Sequence, residues 1–248
     1  MSLHNQLLLK SIRSKLMVIF LIILIAFTMN PLLTSQKLPL DHQGLTKELI
    51  KLYVSIANDN VFLFLYIPLF LLFILQFITI LYRNNVLLKY TDIRSWWKSN
   101  VILIIKLSVF FTVIIQIFII GLLFTKGLSF GNLVTIYIPF CIIAAVIQLL
   151  GFIIIGEFCL IIACIFHQPY WGLFIPILVL FLIKASKFIM KAEWYTFEEY
   201  MSSIYKIKID NSAQNITDPM IIMSFAIFAI LLYWFGSNIL KDKDFYWG

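Results

Sequence analysis

Lys106 and Glu157 have the most chemistry to offer, because each carries an ionisable group inside an otherwise apolar run. Such a group at mid-bilayer costs roughly 2.5–3.5 kcal/mol to insert, so each needs a partner or a route to the interface. Lining a pathway, the two would bind a proton or an ion. Both fall toward the same boundary of their runs, where they could snorkel or pair, and that structural reading carries more weight. One acid and one base are also few for an ion-coupled transporter. Other constellations are thinner still. The histidines His4, His42 and His167 are scattered and no His-Glu-x-x-His occurs, which argues against a zinc protease site. Cys141, Cys159 and Cys164 share one apolar tract without Cys-x-x-Cys spacing and read as small apolar residues. Glu198-Glu199 lacks the following arginine of the glutamate-type intramembrane proteases. No Gly-rich phosphate loop ending in Lys-Ser or Lys-Thr is present, so nucleotide cannot be held by that route. The chain is expected to hold no cofactor or metal and to perform no covalent chemistry.

The elements that position these residues follow from composition. Of 248 residues, 62% are hydrophobic and only 12% charged, with a mean hydropathy of +0.99. A soluble domain is about half apolar and about a quarter charged, so the solvent of this chain must be lipid. A soluble enzyme, a disordered regulator and a free nucleic-acid binder are excluded on that ground. The pI near 9.3 reads as orientation in a membrane.

A hydrocarbon core about 30 Å thick needs roughly 20 apolar residues in a helix. By that measure the chain is an all-α polytopic membrane protein, one transmembrane domain over 1–248. It has six spans, at about 16–34, 61–82, 101–125, 133–166, 170–190 and 219–240. The apolar tract from Leu133 to Ile183 is too long for one helix. Its break belongs at His167-Gln168-Pro169, since proline removes a backbone donor and biases its predecessor away from helix. The fourth span exceeds what a bilayer needs, so Pro139, Gly151 or Gly156 is where it would bend or break. The continuous apolar runs exclude a β-barrel. The first span follows Lys10, Arg13 and Lys15 as a signal peptide would. It lacks a small-x-small cleavage site and is expected to be a retained helix.

With the N-terminus inside, the lysines and arginines other than Lys106 divide evenly, nine on each side. All three arginines then fall inside, the segment Arg83–Asn100 is basic, and the outer loops are neutralised by acids. Both termini are therefore expected in the cytoplasm. Before the first span, Leu3, Leu7, Leu8 and Ile12 recur at helical spacing, the pattern of an amphipathic helix on the inner surface. Between spans two and three, LLKYTDIRSWWKSN (Leu87–Asn100) is polar, basic and aromatic. It suits a short helix along the membrane, capped by Thr91 or Asp92, with Trp96 and Trp97 at headgroup depth. Such a helix is either an interfacial anchor or a docking element for a cytoplasmic protein. Between spans five and six, WYTFEEYMSSIYKIKI (Trp194–Ile209) suggests short helices dipping into the outer leaflet, as a cap over a pathway or a plain hairpin.

This layout resembles the membrane subunits of the type-2 ABC exporter family, in the small bacterial form of peptide and bacteriocin export or immunity. The resemblance covers the whole chain: an inner-surface helix (Leu3–Ser14), six spans, a basic loop after the second and an outer hydrophobic hairpin before the sixth. It implies a cytoplasmic coupling helix at Tyr90–Trp97, with Tyr90, Thr91, Asp92, Ile93, Arg94, Trp96 and Trp97 as candidate contacts to an ATPase subunit. The lysine that often opens the third span in such permeases is absent at Asn100, although Lys106 follows. The resemblance implies a multi-pass subunit in a bacterial cell membrane, paired with itself or a similar permease and driven by a cytoplasmic ATP-binding cassette protein that holds ATP and Mg. It would export a peptide or other amphipathic cargo by alternating access. The alternative is a membrane immunity or scaffold protein that works without an ATPase.

Overall fold

Proline and glycine set the shape of the helices. The computed structural model describes residues 18, 22, 53, 57–81, 93–125, 138–205 and 218–239. Its elements in chain order are α1 (Asp59–Val61), a π-helical turn (Phe62–Tyr66), α2 (Ile67–Leu81), α3 (Ile93–Thr125), α4 (Ile138–Phe166), α5 (Pro169–Met190), α6 (Phe197–Met201) and α7 (Asp218–Ile239). No strand occurs among the described residues. The first three elements form one continuous helix. Asn58 caps it, its side chain accepting from the Val61 N–H at 2.8 Å. Pro68 has no N–H to give the preceding turn, and the π turn lies just before it, with the Ile67 N–H bonded five residues back to the Phe62 carbonyl.

The break at His167-Gln168-Pro169 falls where proline dictates. α4 ends at Phe166, His167 takes a left-handed φ of 57°, and Pro169 opens α5 at a position where a missing N–H costs nothing. α4, by contrast, runs unbroken from Ile138 to Phe166. Pro139 lies in its first turn, where proline is tolerated. Gly151 and Gly156 do not interrupt it either; they make room for neighbours. A Cβ at Gly151 would stand 2.7 Å from Met201 Sδ, and one at Gly156 would stand 2.6 Å from Ile104 Cγ2. On the facing helix, a Cβ at Gly172 would meet the Cys159 carbonyl at 2.6 Å, so α4 and α5 approach closely there.

α4 is the hub, packed against α2, α3, α5, α6 and α7. Between it, the first helix and α3 lies an aromatic core. Phe70 meets Phe111 and Phe152 at centroid distances of 5.3 and 4.7 Å, and Phe73 meets Phe111 at 5.1 Å. The helix Asp59–Ile80 is the most enclosed, with 67% of its apolar window buried, whereas α5 and α7 bury 11% and 17%. Their exposed residues, such as Phe174, Leu178, Phe181, Ile227, Ile230 and Trp234, are large and apolar. In water that surface would be untenable; in lipid it needs no partner.

Among the described residues, five helices are long and apolar enough to cross a membrane: Asp59–Ile80, Arg94–Gly121, Ile138–Phe166, Pro169–Met190 and Asp218–Ile239. They coincide with the second to sixth expected spans and give the chain the character of a multi-pass membrane protein. The first expected span, 16–34, lies outside the described residues except for Val18 and Ile22. Both of these are helical, and they are 57% and 60% exposed, one turn apart. The amphipathic segment Leu3–Ser14, the loop residues Tyr90, Thr91 and Asp92, the end of the outer hairpin from 206 onward and both termini also lie outside them.

Candidate functional site

The largest departure from expectation is at the start of α3. Ile93–Asn100 is not a separate helix lying along the membrane but the first turns of α3, which continues without interruption to Thr125. The physical reason is the absence of a breaker: no proline or glycine falls between Ile93 and Gly121. Asn100 keeps to the helix, its Nδ2 donating to the Trp96 carbonyl at 2.8 Å. Trp96 and Trp97 are buried within the bundle, at 1% and 0% exposure. The Trp97 indole N–H donates to the Tyr233 carbonyl of α7 at 3.2 Å. Its ring fills the space left by Gly236, where a Cβ would come within 2.3 Å. Arg94 and Lys98 occupy the opposite, exposed side of the same turns. Of the residues expected to meet a partner, Arg94 is thus presented outward, and Trp97 ties α3 to α7.

Along the interior of α3 runs a polar stripe that a search for charge does not find. Asn100, Ser108, Thr112 and Gln116 are all buried and recur at multiples of four, which places them on one face. Ser108 bonds back to the Ile104 carbonyl at 2.9 Å. Gln116 Nε2 donates to Gln148 Oε1 on α4 at 2.9 Å and to the Tyr53 hydroxyl at 3.2 Å. Gln148 Nε2 donates to the same hydroxyl at 2.5 Å and to the Met201 carbonyl at 3.3 Å. Four separate segments thus converge on two amides and a phenol. The signal for this was present: an uncharged amide in an apolar span is itself costly unless paired across helices.

Lys106 and Glu157 occupy different environments. Lys106 is exposed on α3, whereas Glu157 on α4 is 2% exposed, its buried Oε2 without a hydrogen-bond partner among the described residues. A small void of about 10 Å³ lies nearby between Ile74, Phe77, Asn100, Ile104 and Leu160, room for one water at most.

At the other end of the bundle, Trp194–Tyr205 folds inward. Thr196 and Glu199 cap α6 reciprocally, the Thr196 N–H donating to Glu199 Oε2 at 2.8 Å. The same carboxylate pairs with Lys187, whose Nζ also lies 5.7 Å from the Tyr195 ring centre. Lys184 reaches Asp59 Oδ2 at 2.8 Å and Asn60 Oδ1 at 2.5 Å, joining the end of α5 to the start of α1. Phe197 stacks on Phe225 of α7 at 5.1 Å. Tyr205 donates to Asp218 at 2.5 Å; burial, and then that carboxylate, hold its phenol above the usual range. Met201, Ser202, Ser203 and Glu198 are fully buried. Among the described residues neither Glu198 oxygen has a hydrogen-bond partner of good geometry, and burial pushes its carboxyl above the usual range against the opposing pull of its own backbone N–H, the Thr196 hydroxyl and the Lys184 charge. The described part of the segment thus packs against α4, the start of the first helix and α7.

Among the described residues, no group of three or more His, Cys, Asp or Glu side chains converges to hold a metal. One end exposes Arg94 and Lys98 on a helix bonded to α7 through Trp97, and the other carries the ion pairs Lys184–Asp59 and Lys187–Glu199. No protein-family model, no curated protein and no solved structure matches the chain.

Proposed function

We propose that the chain is the membrane-spanning subunit of an ATP-driven exporter, energised by a separate cytoplasmic ATP-binding cassette protein and paired with itself or a similar permease. It resides in a bacterial cell membrane with six spans and both termini in the cytoplasm, and its cargo is a peptide or another amphipathic molecule. ATP and Mg are held by the partner; this chain performs no covalent chemistry. The observation that carries the reading is the unbroken run of α3 from the exposed Arg94 and Lys98 to the bundle interior, with Trp97 bonded to α7. A push on those first turns would move α3 and α7 together, and so bias an equilibrium between two arrangements of the helices.

The test is a photo-crosslinking residue at Ser95, exposed between the two cations, in native membranes. The reading expects it to capture a protein bearing nucleotide-binding motifs, with the yield reduced by Arg94→Glu and Lys98→Glu. Capture of an extracellular protein would overturn it. The second reading, an immunity or scaffold protein without an ATPase, draws support from the closely packed aromatic core around Phe70, Phe111 and Phe152. It expects activity from the purified chain alone.

A further inference from the structure

We infer that Glu198 is a proton-binding site that latches the segment 196–203 onto the bundle. In the seated segment its carboxyl carries a proton; when the segment lifts, the O–H bond breaks and the proton passes to water. The reason is desolvation. Glu198 is 0% exposed, and among the described residues neither of its oxygens has a hydrogen-bond partner of good geometry. An ionised carboxylate held there would lose its hydration without adequate replacement, whereas a neutral acid loses far less.

The lysines that could take the place of a proton are committed to other groups. Lys184 bonds Asp59 Oδ2 at 2.8 Å and Asn60 Oδ1 at 2.5 Å, and Lys187 is bound to Glu199. Of the charged groups acting on Glu198, Lys184 favours ionisation and Glu199 opposes it. From the other elements packed on the segment, α1 brings Asp59, already paired, and α7 brings Asp218, which accepts from Tyr205. α4 brings Gln148; its carboxyl, Glu157, lies six residues beyond Gly151, against which Met201 rests. Phenols supply the rest: Tyr66 of the π turn, Tyr53, and Tyr195, Tyr200 and Tyr205 beside the segment itself. A metal ion fits less well than a proton. The Lys184 ammonium would repel it, and among the described residues no three His, Cys, Asp or Glu side chains converge. Because the seated state holds its proton more tightly than the lifted one, seating is firmest in acid. It weakens by about tenfold per pH unit as pH rises from the ordinary carboxylate range, and levels off above the raised value of the seated state. The inference rests on neither the exporter reading nor the orientation of the chain.

Hydrogen exchange of the purified full chain in lipid nanodiscs, corrected for the intrinsic pH dependence of exchange, tests it between about pH 4 and about pH 8. Exchange in 197–205 of the wild type should rise by about tenfold per pH unit over part of that range, with 93–100 as a steady reference. Glu198→Gln should hold exchange at its low-pH level throughout, and Glu193→Gln, at an exposed carboxyl, should leave the rise in place. Asp59→Asn frees Lys184 to pair with Glu198 and should move the rise toward acid. In infrared spectra at about pH 5, the carbonyl band of neutral carboxylic acid should lose intensity in Glu198→Gln. A flat wild-type profile, a rise that survives in Glu198→Gln, a profile unmoved by Asp59→Asn, or an unchanged infrared band would overturn the site. So would exchange that follows sodium concentration at fixed pH, which would mark a metal ion in place of the proton. No ATPase is present in these measurements, so their failure would leave the exporter reading untouched.

Discussion

The two ends of the bundle solve opposite problems with similar residues. At the Arg94 end, aromatic rings turn inward and cations outward: Trp96 and Trp97 are buried, while Arg94 and Lys98 are exposed. At the Glu198 end, charge turns inward and is largely matched within the chain. Lys187 is bound to Glu199, Lys184 to Asp59, and Tyr205 to Asp218. In sequence both segments are aromatic and amphipathic, and both suit a membrane interface. What separates them is tertiary: Gly236 opens a slot for an indole, and Gly151 opens one for Met201. One end thereby presents Arg94 and Lys98 at its surface, and at the other Lys184 and Lys187 are paired within the chain.

The comparison would break most completely if the two ends proved to face the same compartment. A cysteine at Ser95 should react with a membrane-impermeant maleimide only after cells are opened, and one at Trp194, 43% exposed, should react in intact cells. The native cysteines are buried, so background labelling should be low. The reverse pattern would invert the orientation. Next in size is Trp97→Ala, which empties the Gly236 slot and removes the bond to Tyr233. It should cost about 3–5 kcal/mol, read as a large fall in the midpoint of thermal unfolding. Lys98→Gln, on the exposed side one position away, should leave that midpoint nearly unchanged.

At the Glu198 end the effects should be smaller. Glu198 has a raised pKa in the fold, so the native state holds its proton more tightly than the unfolded chain does. Its contribution is therefore unfavourable, and it grows as pH rises from the ordinary carboxylate range through the raised value. Glu198→Gln should stabilise by about 1–2 kcal/mol at pH 8 and make little difference at pH 4, as unfolding midpoints across pH would record. Gln148→Leu should cost about 0.6–1.7 kcal/mol by severing α4 from Tyr53, Gln116 and Met201. It should also raise hydrogen exchange in 197–205 more than in 93–100, which would assign the seating of α6 to that amide.

Much of the helical layout was legible because apolar length and proline are local properties. Pro169 marks the α4–α5 junction without help from any other part of the chain. The early start of α3 was hidden for a simple reason: an apolar window measures where lipid begins, not where helix begins. Arg94–Asn100 is polar yet contains no breaker, so the helix extends through it. Gln116 and Gln148 carry no charge, and their partners are distant in sequence, so nothing local marks them as a pair. Glu198 looked like a surface residue of an aromatic hairpin. Its burial depends on α6 fitting over Gly151, which only the packed bundle determines.

The central claim, that an external ATPase does work on the first turns of α3, is met most directly by one rate. The measurement is ATP hydrolysis by the cassette partner captured at Ser95, in liposomes with and without this chain. The account predicts that the wild-type chain changes that rate several-fold and that Arg94→Glu/Lys98→Glu removes the change while the bundle stays folded. A rate indifferent to the chain, or equally altered by the double variant, would contradict it.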